Sequence, residues 1–199
     1  MSDELQSLDW NKGDGLLPVI VQDAGSLRVL MLGYMNAEAL AATRASGFVT
    51  FYSRSRQRLW KKGESSGHVL ELVSIQADCD SDTLLVLARP HGPTCHLQRD
   101  SCFAEAPGTF LADLDALVRQ REQLRPADSY TTGLFESGIR RIAQKVGEEG
   151  VETALAAVVQ DDAAVLGESA DLLFHLIVLL RARGLSLQDV VTVLQERHR

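Results

Sequence analysis

The chain changes character once, at Ala106-Pro107-Gly108, and the two sides ask for different architectures. Before that point lie short runs rich in β-branched and aromatic residues, at 17–22, 27–32, 49–52, 69–77 and 83–88, separated by Gly, Asp or Ser. Runs of that length and composition read as strands. One helix interrupts them, from residue 37 to about 45, with Asn36 as N-cap and Gly47 as stop. After the linker the apolar spacing is helical, over 110–124, 133–159, 163–183 and 187–197. Asp162 and Ser186 stand at N-cap positions and Gly184 ends the third helix. There is no internal repeat. The expected fold class is α+β: a small β-rich N-terminal domain, residues 1–106, then an all-α helical-bundle domain, residues 109–199.

All three cysteines fall between residues 78 and 102, among three aspartates: Asp78-Cys79-Asp80-Ser81-Asp82, Gly92-Pro93-Thr94-Cys95-His96 and Ser101-Cys102-Phe103. Thiolates suit a soft ion such as Zn2+, and clustered carboxylates suit a hard one such as Mg2+. The segment therefore reads as two metal sites of different character, which points to chemistry more than to a structural staple. Plainer readings compete with it. Free cysteines pack as small hydrophobes, and Asp-Ser-Asp is ordinary turn chemistry. Neither accounts for Asp78, or for a cysteine set among acids.

Composition excludes several classes. The net charge of −7 lacks the clustered Lys and Arg of a nucleic-acid footprint. No apolar run approaches the length of a membrane span, and Met1-Ser2-Asp3-Glu4 is not the start of a secretory signal. With three cysteines that cannot all pair, the expectation is a cytoplasmic protein without a membrane or nucleic-acid partner.

The helical half carries Lys145-Val146-Gly147-Glu148-Glu149-Gly150-Val151-Glu152 and Glu168-Ser169-Ala170-Asp171. At 3.6 residues per turn Lys145, Glu148, Glu149 and Glu152 share one helix face, as do Glu168 and Asp171. A hairpin turning at Gln160-Asp161-Asp162 sets Glu152 level with Glu168, and Glu149 level with Asp171. Four carboxylates converging across one helix pair call for a multivalent cation. The competing reading is a solvated acidic face bridged by Lys145, Arg140 and Arg141. His175 shares the Glu168/Asp171 face and reads better as a satisfied core histidine than as a ligand. There is no G-x-x-x-x-G-K-[ST] loop, so a nucleotide would be gripped through metal-bridged phosphates.

These residues carry a family resemblance across nearly the whole chain. The N-terminal half resembles phosphoribosyl-AMP cyclohydrolase in Met31-Leu-Gly-Tyr-Met-Asn36, Phe51-Tyr-Ser-Arg-Ser-Arg-Gln-Arg-Leu-Trp-Lys-Lys-Gly-Glu-Ser-Ser-Gly-His68, Asp78–Asp82 and Gly92–His96. The C-terminal half resembles phosphoribosyl-ATP pyrophosphatase, of the MazG-like all-α type, in Ser129-Tyr-Thr-Thr132, Lys145–Glu149, Glu152 and Glu168–Asp171. The two fused in this order are similar to the bifunctional, ATP-binding hydrolases of histidine biosynthesis.

The resemblance implies hydrolysis of phosphoribosyl-ATP to phosphoribosyl-AMP and pyrophosphate in the helical domain, then hydrolytic opening of the adenine ring in the β domain. It implies Mg2+ on Glu148, Glu149, Glu152, Glu168 and Asp171, with Glu149 and Glu152 catalytic. It implies Zn2+ on Cys79, Cys95 and Cys102, a second Mg2+ on Asp78, Asp80 and Asp82, and His96 as general acid/base. Substrate contacts are expected from Arg54, Arg58, Lys61, His68 and Lys145, and the partner is a second copy of the chain.

Strand alternation continued to residue 80 would put Val73, Ile75, Ala77 and Cys79 on one face and Asp78 and Asp80 on the other. Cys79 would then point away from the aspartates and need not join Cys95 and Cys102 in the same chain; the resemblance implies a zinc site shared between protomers. Arg54, Arg56 and Arg58 alternate along a further expected strand, where phosphate contact competes with a solvated edge. Two other classes stand beside the enzyme reading: a zinc-stapled dimer without turnover, and a zinc nucleobase deaminase, whose H-x-E…P-C-x-x-C signature is absent.

Overall fold

The computed structural model describes Leu5 and residues 7–198. The chain divides between Thr109 and Phe110 into two compact units.

The first unit is built on β1 (Leu17–Asp23), β2 (Val29–Met35), β5 (Leu70–Ala77) and β6 (Leu84–Pro90), in the sheet order β2-β1-β6-β5. β1 runs parallel to β6, and the other neighbours are antiparallel. Period-two burial drives the arrangement: Leu17, Val19 and Val21 are fully buried while Ile20 between them is partly open. Leu84, Val86 and Ala88 of β6 meet that row and complete the core with Met35, Val49 and Phe51.

Helix α1 (Ala37–Ser46) follows β2 at once, because Asn36 caps it by accepting from the Ala39 N–H at 2.8 Å. Gly47, at φ 72°, ends it in the left-handed conformation. The buried Thr43 hydroxyl donates to the Ala39 carbonyl and accepts from the Thr50 N–H, so its own polar atoms are satisfied where α1 meets the strand that follows it.

β3 (Thr50–Ser53) and β4 (Arg58–Lys61) form a separate hairpin. This corrects the expectation for the arginines. Residues 54–57 are its turn, with Gln57 at φ 51°, so Arg54, Arg56 and Arg58 do not share a strand face.

Gly33 of β2 faces the core, where a Cβ would fall 2.4 Å from the Phe51 ring. Phe51 is nearly fully buried and has nowhere to retreat. Gly33→Ala should therefore destabilise the first unit by about 1–3 kcal/mol, the usual cost of overpacking. Chemical denaturation checks it; a wild-type midpoint would mean that Phe51 repacks without strain.

The second unit is all helical: α2 (Phe110–Leu124), α3 (Tyr130–Ser137), α4 (Ile139–Val159), α5 (Asp162–Ala182) and α6 (Leu187–Arg197). The single helix expected over 133–159 is two, because Gly138 adopts φ 82° and ψ 167°, a conformation open to glycine almost alone. The cap of α5 is Asp161, accepting from the Ala164 N–H at 2.9 Å, one residue before the expected Asp162. Ser186 and Asp189 form a reciprocal capping box that starts α6.

Val118, Leu134, Ile142, Ile177 and Val178 make the core, and Arg181 on α5 pairs in fork geometry with Asp115 on α2. By length and composition alone, α5 could cross a membrane, contrary to the sequence reading. It carries Glu168, Asp171 and His175, and Ile177 and Val178 of the unit's core, which mark it as a helix of the bundle.

Candidate functional sites

In the first unit the alternation expected to reach residue 80 stops at Ala77, after a bulge between Leu72 and Ser74. Asp78 instead begins a turn: its carboxylate accepts from the Asp82 and Thr83 N–H groups at 3.0 and 3.1 Å, and Ser81 lies at φ 60°. The turn gathers carboxylate oxygens of Asp78, Asp80 and Asp82 within 4.8 Å of one another. Lys12 reaches into the cluster, its ammonium 2.6 Å from Asp80 and 3.1 Å from Asp82, and the hydrogen bonds to both acids push its pKa well up. A concentration of negative charge that draws in an ammonium also fits a hard cation.

Cys79 sits exposed in this turn, and the alternation argument for where it points does not apply. Among the described residues no cysteine belongs to a group of three potential metal ligands. Cys95 and Cys102 do interact. Cys95 is buried, and a bond from the Leu97 backbone, aided by Arg99, pulls its thiol down. Desolvation and the neighbouring Cys95 push the Cys102 thiol up.

The loop that carries the pair is tied to β2, since Ser101 Oγ donates to the Val29 carbonyl at 2.7 Å and the Cys102 N–H to the Leu30 carbonyl at 2.8 Å. His96 Nδ1 and Arg99 Nη2 each lie 3.9 Å from Cys95 Sγ. Two anchored thiols suit a soft ion and leave it short of ligands within one chain.

The expected substrate contacts are spread around this unit. Arg54 lies over the Tyr34 ring at 3.9 Å and Lys61 over Phe48 at 4.3 Å. Arg58 pairs with Glu64 at 2.5 Å. The His68 ring packs so closely on Gly92 that a Cβ there would lie 2.7 Å from it. Lys62 is buried beside them: its Nζ donates to the His68 carbonyl at 3.4 Å, burial lowers its pKa, and the nearby Cys102 and Cys95 oppose that fall.

In the second unit the α4–α5 hairpin brings carboxylate oxygens of Glu149, Glu152 and Glu168 within 4.8 Å of one another. Glu148 and Asp171 stand outside that trio. Glu148 is held by Gln144 at 2.7 Å, Lys145 at 3.1 Å and Arg141 at 3.4 Å. Lys145 also lies 2.6 Å from the buried Glu149, and holds that carboxyl below the usual carboxylate range. Glu152 moves the other way: desolvation, then the charges of Glu149 and Glu168, push its carboxyl up. A carboxyl pushed up by two neighbouring acids marks a density of negative charge that fits a divalent cation. His175 is satisfied, as expected, with Nδ1 2.8 Å from the Asp171 carbonyl and Nε2 3.0 Å from the Tyr130 hydroxyl.

Residues 31–104 match the family model for phosphoribosyl-AMP cyclohydrolase, and residues 111–198 that for phosphoribosyl-ATP pyrophosphohydrolase. The chain is 75% identical over 197 residues to the histidine biosynthesis bifunctional protein HisIE of Xanthomonas campestris, covering 99% of this chain and 96% of that protein. It is 57% identical over 195 residues to the HisIE protein of Escherichia coli K12, covering 97% and 96%, and 56% identical over 197 residues to that of Yersinia pestis, covering 98% and 97%. The chain belongs to the bifunctional HisIE family of histidine biosynthesis.

It is a bifunctional hydrolase with the cyclohydrolase domain first and the pyrophosphohydrolase domain second, acting on small phosphoribosyl nucleotides. The family motifs do not mark every residue at these sites. Lys12 precedes the matched cyclohydrolase region, and only the fold brings it to Asp80. Lys62 lies inside the motif from Phe51 to His68, where its only signal was a second lysine just before Gly63, which turns the chain at φ 82°.

Proposed function

We propose that the helical unit hydrolyses phosphoribosyl-ATP to phosphoribosyl-AMP and pyrophosphate at the α4–α5 acids, and that the β unit then hydrolytically opens the adenine ring, the second and third steps of histidine biosynthesis. The observation that carries this reading is the presence, in one chain, of an acidic trio on a helix pair and a separate acid-and-thiol segment on a small β unit.

In the helical unit Glu149, Glu152 and Glu168, with Glu148 and Asp171 beside them, would hold Mg2+. Glu149 and Glu152 place the attacking water, and Lys145 offers its ammonium to the triphosphate. In the β unit Asp78, Asp80 and Asp82 would hold a second Mg2+ near the substrate phosphate. Cys95 and Cys102, with Cys79 supplied by the partner copy, would hold Zn2+. When bound, zinc lowers the pKa of water towards neutrality and magnesium offsets phosphate charge. His96 beside Cys95 is the proton carrier at the ring. Arg54, Arg58, Lys61 and His68 bind substrate.

Sharing of the zinc ligands makes the working form a homodimer. Cys79 forms no group of three candidate ligands with Cys95 and Cys102 among the described residues, which supports it. Open apolar side chains on α4 at Val151, Leu155 and Val158, each a turn apart, support association as well. The location is cytoplasmic.

Chelation followed by metal add-back tests the whole reading. Protein stripped of metal should lose both activities. Mg2+ alone should restore pyrophosphate release, and ring opening, followed by its absorbance change, should need Zn2+ as well. Full ring opening without zinc would refute the thiol assignment.

A further inference from the structure

Tyr130 opens α3, whose N-terminus is fixed by Ser129 capping the Thr132 N–H. Though much of its ring is open to solvent, its hydroxyl lies 3.0 Å from Nε2 of His175, a side chain only 4% exposed. Phe174 and Tyr130 both meet the imidazole edge-on, at centroid distances of 5.2 and 6.1 Å. The other ring nitrogen, Nδ1, lies 2.8 Å from the Asp171 carbonyl and 3.6 Å from Glu149 Oε1. A carbonyl can only accept, so Nδ1 carries a hydrogen. In the neutral imidazole Nε2 is then the acceptor and the Tyr130 O–H the donor.

We propose that Tyr130 and His175 are positioning residues for the acid trio, Tyr130 fixing the imidazole tautomer and His175 aiming its Nδ1–H at the point where α4 and α5 meet. At that point the one N–H touches both acid-bearing helices: it binds the backbone of Asp171 on α5 and faces the buried Glu149 carboxylate on α4. An imidazole with the wrong nitrogen protonated would set two acceptors against each other at Asp171 and turn a lone pair, in place of an N–H, towards the Glu149 carboxylate 3.6 Å away. Lys145 approaches Glu149 as well, but through a long flexible stem, whereas His175 is locked by two rings and two hydrogen bonds. Outer-shell donors of this kind tune metal affinity by about 10–100-fold. The proposal rests on the reading of Glu149, Glu152 and Glu168 as a divalent-cation site.

The test uses the full-length protein and Mn2+ as a spin-visible probe. The Mn2+ binding lost in Glu152→Gln defines the share of the helical site. Tyr130→Phe should weaken that share by about tenfold. It should also raise the metal concentration needed for half-maximal pyrophosphate release, with kcat near wild type at saturation. Long-range 1H–15N spectra should show His175 as a single Nδ1–H tautomer in wild type and as a mixture in Tyr130→Phe. His175→Asn, which keeps a donor near the Nδ1 position, should retain Mn2+ binding that His175→Leu loses.

If Glu152→Gln removes the site while Tyr130→Phe binds Mn2+ as wild type does, the positioning role is wrong and the cation site stands. If Glu152→Gln loses no Mn2+, the cation site itself is wrong and the proposal falls with it. A protonated Nε2 in the wild-type spectrum would overturn the tautomer assignment directly.

Discussion

Glu152→Gln should reduce pyrophosphate release from phosphoribosyl-ATP by at least about 100-fold, more than the loss of an outer-shell partner, while ring opening of supplied phosphoribosyl-AMP continues at the wild-type rate. Glu152 is the member of the acid trio that suffers most from its neighbours, with a carboxyl raised by desolvation and by the charges of Glu149 and Glu168. An amide of the same shape keeps the packing and removes the charge a cation would use. The same repulsion gives a second signature. A carboxyl whose folded pKa lies above its unfolded value opposes folding wherever it is ionised, and the penalty fades as pH falls through the raised pKa. Metal-free Glu152→Gln should therefore melt slightly above metal-free wild type at neutral pH, and the two should converge in acid. Addition of Mg2+ should reverse the order for the helical unit, stabilising that unit in wild type alone. A well-folded variant that loses ring opening as well would refute the division of labour between the two units.

Cys79→Ser and Cys95→Ser should each abolish zinc binding and ring opening, because a neutral hydroxyl is a poor substitute for a thiolate at zinc. Mixed under conditions of subunit exchange, the two inactive proteins should complement. In a two-fold symmetric dimer that draws Cys79 from one copy and Cys95 from the other, each heterodimer has one site with every ligand intact and one with both lesions. Random exchange at equal concentrations makes half the dimers mixed, so about one quarter of the wild-type rate should return. The alternation argument for Cys79 does not survive, since β5 ends at Ala77. What now supports sharing is that Cys79, exposed in its turn, forms no group of three candidate ligands with Cys95 and Cys102 among the described residues. If exchange is verified by mass and the rate stays at zero, all three thiols meet within one chain.

What the sequence made legible was local. Asn36, Gly47 and Ser186 act through the few residues beside them, and each caps or stops its helix where expected. The level pairing of Glu152 with Glu168 followed from helix geometry and one short turn, and those two carboxylates do converge. Errors arose where a single dihedral decides. Gly138 at φ 82° cuts an otherwise periodic stretch into two helices, and Gln57 at φ 51° turns three apparently alternating arginines around a hairpin. Periodicity carries no sign of such a residue until its conformation is known. Least legible were contacts across the fold. Lys12 meets Asp80 only because the chain before β1 returns past the end of β5, and the bond from Tyr130 to His175 joins α3 to α5 across 45 residues of chain.

The parallel pairing of β1 with β6 has a consequence for how the protein comes into being. Val19 lies opposite Leu84, so the centre of the first sheet joins segments far apart in the chain, while its neighbour β2 follows β1 directly. On the ribosome the β1–β2 hairpin emerges early with its inner row of Leu17, Val19 and Val21 uncovered, and it must wait for β6 before that row is sealed. Non-local pairing of this kind carries a large loop-closure cost and is slow to nucleate. The second unit, made of neighbouring helices, has contacts that close over short loops. The half that is translated first is thus the slower to mature, and the interval before β6 arrives is when its open strands are most exposed to pairing with another chain.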